Sequence, residues 1–216
     1  DPQGFRSEDW IKNGRQGAFE VNNFTSPAFV ARVNYHGVKG LRVGASFYYN
    51  QTAKNGTKPW RNTGYKFPVT IVTGELQYKG FNNNLIVRGN AVYGNLGASG
   101  ALTTINNSSS AASGYPNTTV AQNAVSYGGE AGYNIGSFFH SKAPRIYPFI
   151  RYEYYNPMEK TEANTGLLAD KRFQVSAVTA GLNYYALPNL VIKADYTHRS
   201  IGGGKYNDEN LVSVGI

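Results

Sequence analysis

The chain has 216 residues, only 16% of them charged, with a formal net charge of +8 and no cysteine. The missing cysteine excludes a disulfide framework and a thiolate metal site, and no stretch approaches the roughly 18 consecutive apolar residues of a membrane-spanning helix. Its Lys and Arg are scattered singly rather than gathered into the patch or run of a nucleic-acid binder, so no nucleic-acid partner is expected. Aromatics at 14%, with 17 Tyr, and 25 Gly suit many strands joined by polar turns.

Taken in chain order, the dominant signal is alternation with period two, which sends successive side chains to opposite faces of a sheet. The chain opens Asp1-Pro2-Gln3-Gly4, so a signal peptide is expected to have been removed or to lie further upstream. A weak first strand is predicted over Arg15 to Asn23, with Gly17, Phe19 and Val21 on its apolar side. Phe29, Ala31, Val33 and Tyr35 then share a face opposite Arg32 and Asn34, and Leu41 to Tyr49 repeats the pattern with Arg42 and Ser46 opposed. Val72, Gly74, Leu76 and Tyr78 alternate with Thr73, Glu75, Gln77 and Lys79; Leu85, Val87, Ala91 and Tyr93 alternate with Arg88 and Asn90. Val125 to Ile135 opposes Ser126, Glu130 and Asn134, and Ile150, Tyr152 and Tyr154 oppose Arg151 and Glu153. Val178 to Tyr184 opposes Thr179 and Asn183; Leu190 to Tyr196 opposes Lys193, Asp195, Thr197 and Arg199; Val212, Val214 and Ile216 end the series. The fold class expected is all-β, antiparallel, with nine or ten strands in a single domain spanning residues 1–216.

Such alternation fits two architectures. In a soluble sandwich the apolar face is the core; in a transmembrane barrel it meets lipid while the polar face lines a wet interior. Run length and link parity favour the membrane. Several runs reach the 9–11 residues of a tilted membrane strand. Short links at His36 to Gly40, Gly80 to Asn84 and Ala186 to Asn189 alternate with long ones at Gln51 to Phe67, Asn95 to Gln122 and Pro157 to Lys171. Ser137 to Arg145 is intermediate and falls where a short turn is required. Barrels of the outer membrane show that asymmetry. Aromatics near predicted strand ends (Tyr35, Phe47, Tyr49, Tyr78, Phe81, Phe138, Phe139, Tyr184) suit interfacial girdles. The longest link, Asn95 to Gln122, could fold inward and narrow a pore, but its Ala, Ser and Thr content favours a loose external loop.

Three stretches resemble the porin family that includes the phosphate-selective porins of O/P type. These are Gly40-Leu41-Arg42-Val43-Gly44-Ala45-Ser46, the Tyr127 to Tyr133 strand with Pro148-Phe149-Ile150-Arg151-Tyr152-Glu153, and Thr179 to Tyr184 through Pro188 to Tyr196. The Asn-rich loops are similar to Bacteroidetes members. The resemblance runs from about Arg15 to the end. It implies a C-terminal portion of a barrel of roughly sixteen strands, against the alternative of a complete ten-stranded barrel. It also implies a bacterial outer-membrane location, lipid and small hydrophilic or anionic solutes as partners, a homotrimer or other outer-membrane proteins beside it, and no cofactor. The family's Arg ladder and Lys cluster do not map onto this chain, so phosphate specificity is not expected.

For a channel the chemistry is the potential of the lumen. Arg32, Arg42, Glu75, Arg88, Glu130, Arg151, Glu153, Lys193, Asp195 and Arg199 fall on the polar phase and are the expected pore-lining residues. They admit two readings: a slightly cationic passage that concentrates anions, or ion pairs that brace the wall, with Arg151–Glu153 and Lys193–Asp195 as candidates. Catalysis is not expected. His36, His140 and His198 lack metal spacing, there is no Gly-x-Ser-x-Gly elbow, and Gly202-Gly203-Gly204 reads as a turn. The function expected is passive diffusion of small hydrophilic solutes with a mild anion preference; the alternative is an accessory barrel in a larger outer-membrane assembly.

Overall fold

The computed structural model describes residues 4–14, 26–52, 65–109, 118–139 and 144–216. Nine strands form one sheet: β1 (Ala28–Tyr35), β2 (Leu41–Thr52), β3 (Phe67–Gly80), β4 (Leu85–Leu96), β5 (Asn123–Tyr133), β6 (Arg145–Lys160), β7 (Val175–Leu187), β8 (Leu190–Ile201) and β9 (Asp208–Gly215). They run in sequence order, every neighbour antiparallel, as a single meander. Among the described residues β1 and β9 each have one paired side only, so the sheet is open. The predicted strand at Arg15 to Asn23 and most of the 53–66 link lie outside the described residues. Among the described residues no helix is long and apolar enough to cross a membrane.

The strands outrun the alternation that announced them. β6 continues through Pro148 and Pro157, residues that cannot donate to a ladder, and its register with β5 shifts between Asn123 and Val125. β5 stops at Tyr133, not at Ile135, because Asn134 turns the chain into a 3-10 turn over Ile135–Phe138. Asn134 is buried and staples two links. Its amide donates to Asn84 Oδ1 (3.0 Å), its backbone N–H to Asn84 O (2.8 Å), and its Oδ1 accepts from Ile146 N (3.0 Å). Gly40 makes the β1–β2 turn possible: it has φ +80°, and a Cβ there would sit 2.1 Å from Lys79 O.

The two faces differ sharply. One carries Phe29, Val33, Phe47, Val72, Ile150, Leu182 and Val212, all exposed, with no second layer over them among the described residues. Val33 is 72% exposed in mid-strand. Several aromatics on this face lie toward strand ends, Phe29, Tyr49 and Tyr93 toward the long links and Tyr35, Tyr78, Tyr133 and Tyr184 toward the short ones, while Phe47, Tyr127, Tyr152 and Tyr196 lie mid-strand. The opposite face carries the charged residues and, at its long-link end, the molecule's buried core.

That core is built on the side of the sheet where alternation calls for polar residues. Phe67, Val69, Leu96 and Ala124, all on the charged face, are joined there by Phe5, Trp10, Leu102, Val120, Ala121 and Met158, with Phe173 packed against them. The described parts of the 97–122 link, residues 97–109 and 118–122, are packed rather than forming the loose external loop that the composition favoured. They hold a helix, α1 (Ser99–Ser109), whose Leu102, Ile105 and Asn106 recur at three- and four-residue spacing on the packed side. Glu162 Oε2 accepts from Gly100 N (2.5 Å), placing a carboxylate at the helix N-terminus, where unpaired N–H groups and the dipole favour it. Thr103 Oγ1 accepts from Val120 N (3.0 Å), closing the link on itself. Trp10 has φ +52°, a left-handed conformation that costs about 1–3 kcal/mol and survives only where packing dictates it.

Candidate functional site

All ten residues expected to line a passage lie on one face. The register proves it strand by strand: Arg32 faces Ser46, Arg42 faces Gln77, Gln77 faces Arg88, Arg88 faces Glu130 and Glu130 faces Arg151. Arg151 faces Thr179, Thr179 faces Thr197, and Lys193, Asp195 and Arg199 share the parity of Thr197; Glu75 and Glu153 follow Gln77 and Arg151.

Two carboxylates organise the cations. Glu75 is bonded to Arg32 and lies 3.6 Å from Arg42 Nη2. Glu130, the better shielded at 18% exposed, accepts from Arg151 Nε (2.9 Å) and Nη2 (2.5 Å) and lies 3.4 Å from Arg88 Nη1. Each is an Arg–Glu–Arg triad spanning three strands, and each carries one net positive charge. Arg199 forms a third group, donating to Glu209 Oε2 (2.8 Å) and to the Tyr155 hydroxyl (2.9 Å). Partly exposed pairs of this kind each contribute about 0.2–1 kcal/mol, so their larger effect is on local potential.

Between the triads lies an open hollow of about 520 Å³, bordered by Arg42, Glu75, Arg88, Glu130, Arg151 and Glu153. A second, of about 300 Å³, shares Arg42 and Gln77 and is bordered by His36, Lys39 and Lys79 at the short-link end. The two hollows thus adjoin along the charged face, and the one at the short-link end is the more basic.

Ion pairing runs across strands, as expected, and for Arg151 the partner is Glu130. Arg151 is bonded to Glu130 directly opposite, not to Glu153 two residues on, because neighbours on a pleated face are closest across the ladder. Glu209 was missed, since β9 alternates weakly in sequence. His198 sits on the apolar face near Asn210 Oδ1 (3.0 Å), His36 lies in the β1–β2 link, and His140 is outside the described residues. The cap over the long-link end was also unforeseen, although Val69, Ile71 and Leu96 on the charged phase are the sequence trace of it.

A scan against family models, a search of curated proteins and a search of solved structures each returned no match.

Proposed function

We propose that this chain is part of the wall of a bacterial outer-membrane β-barrel. The observation that carries this reading is the apolar face: nine strands present exposed aliphatic and aromatic side chains with nothing packed on them among the described residues. Burying such an area against acyl chains removes the cost of exposing it to water. Strands of 12 residues, as in β2, β4 and β8, cover about 30 Å at a tilt of about 40°, which matches a bilayer's hydrocarbon core. β1 and β9 run in the same direction, so an all-antiparallel barrel closes only with an odd number of further strands between them.

Within that class we read the protein as a porin, passing small hydrophilic solutes along the charged face with a mild preference for anions. Support for the preference is the two-to-one stoichiometry of the triads and the more basic hollow at the short-link end. The ten band residues with Glu209 make six cations and five carboxylates, and Lys79 and Arg145 lie on the same face toward the short links, so the excess of positive charge is modest. The resemblance to the O/P-type porins belongs to this proposal. Reconstitution of the full protein into planar bilayers tests it: discrete conducting steps are expected, with a zero-current potential in a KCl gradient displaced toward that of chloride. Absence of steps contradicts it.

One observation favours a second reading, an accessory barrel in a larger assembly: the cap occupies part of the charged face. A non-conducting protein isolated with a fixed partner supports that alternative.

A further inference from the structure

The cap brings segment 4–14 onto the described parts of the 97–122 link, and Trp10 touches both that link and the sheet. Segment 4–14 carries Trp10, whose indole N–H donates to Ala121 O (3.0 Å) on the 97–122 link. Ser7 Oγ donates to Thr119 O (2.7 Å) on the same link. The indole ring lies over Gly94 on the charged face of β4, where a Cβ would come within 2.2 Å of the ring's outer edge. Gly94 is therefore a notch cut in the wall for this ring. The cap and the charged band share one face of the sheet, the cap toward the long links and the Glu75 and Glu130 triads further down the same strands. Any solute that travels along this face passes the cap.

We infer that Trp10, seated in the notch left by Gly94, pins a cap that narrows the long-link mouth, and that this pair sets the largest solute admitted. The inference rests on the porin reading above and adds to it the residues that determine size. Segment 4–14 is held by the Trp10 ring, two hydrogen bonds and the burial of Phe5, and removing the ring or filling its notch loosens it without touching the charged band.

The test uses the full protein in three forms, wild type, Trp10→Ala and Gly94→Ala, with Gly74→Ala as control, since a Cβ at Gly74 meets nothing within 4 Å. Because the chain has no cysteine, Ala121→Cys, at a position only 1% exposed, places a single thiol under the cap in each form. Its reaction with a maleimide reports release. Conductance and the swelling of proteoliposomes in sugars of increasing size report passage. Expected results are thiol labelling faster by about tenfold or more in both variants, conductance raised by roughly twofold, and admission of larger sugars, all unchanged in the control. Faster labelling with the same conductance and cut-off overturns the inference, because the cap would then be released without guarding anything. Unchanged labelling in Trp10→Ala also overturns it, because Trp10 would not be the pin. A wild type that does not conduct removes the porin reading itself, a failure distinct from either.

Discussion

Glu130 shows how one residue sets both the structure and the potential of its surroundings. It is better shielded than Glu75 and Glu209 and is shared by Arg88 and Arg151, so neither guanidinium has it alone. Glu130→Gln keeps the shape and removes the charge. Both arginines are partly exposed, so screening limits the loss of stability to about 1 kcal/mol. The electrostatic effect is larger in consequence: the band gains a full positive charge, and the ratio of chloride to potassium permeability is expected to rise. Zero-current potentials in a KCl gradient check this. An unchanged ratio with a lower melting temperature would show that the triads only brace the wall. Asp9 makes a second case, in the cap. Burial, helped by the Glu8 carboxylate, raises its pKa above the usual carboxylate value, while Lys12 and Arg6 act in the opposite direction. The folded cap therefore favours the neutral acid. Its stabilisation is complete below the ordinary carboxylate pKa of about 4 and is lost as pH rises through the elevated value. The urea midpoint for cap release, followed by Trp10 fluorescence in a Trp60→Phe background, is expected to be higher at acid pH than at neutral pH. In Asp9→Asn that difference should vanish.

At the level of elements, period two decides which substitutions a strand tolerates. Val72 and Thr73 are adjacent on β3 but point to opposite faces. On the proposed reading Val72→Arg puts a guanidinium into lipid at roughly 2–4 kcal/mol near the midplane, whereas Thr73→Arg adds a cation to the charged face at little cost. Refolding yield into vesicles should fall for the first and hold for the second; equal yields would mean that the apolar face is not in lipid. The same periodicity explains what could be read without coordinates. Eight of the nine strands are evident from long apolar–polar alternation, and all ten charged residues fell on one side because a parity rule survives errors at strand ends. β9 was visible only as Val212, Val214 and Ile216, and with it Glu209 was lost. α1 was not legible, because Leu102 and Ile105 are the only large apolar residues among Ser, Thr and Asn, and its stability comes from packing on Leu96 and Val120 rather than from helix propensity. Trp10 and Gly94 lie more than eighty residues apart in sequence; their contact depends on the meander bringing β4 under segment 4–14.

For the whole molecule, one distribution of side chains governs the rest. The sheet has a charged side, a capped end and an apolar side left uncovered among the described residues, and the proposed reading covers that side with lipid. The most direct measurement uses the absence of cysteine: single spin-labelled cysteines placed in turn from residue 86 to residue 93 along β4, in protein reconstituted into vesicles. Labels at Val87, Gly89, Ala91 and Tyr93 are expected to be relaxed by oxygen dissolved in the bilayer. Labels at Ile86, Arg88, Asn90 and Val92 are expected to be relaxed by a water-soluble nickel complex, giving an alternation with period two. Uniform access of the nickel complex to all eight positions, or recovery of the protein from water without detergent, would contradict the account.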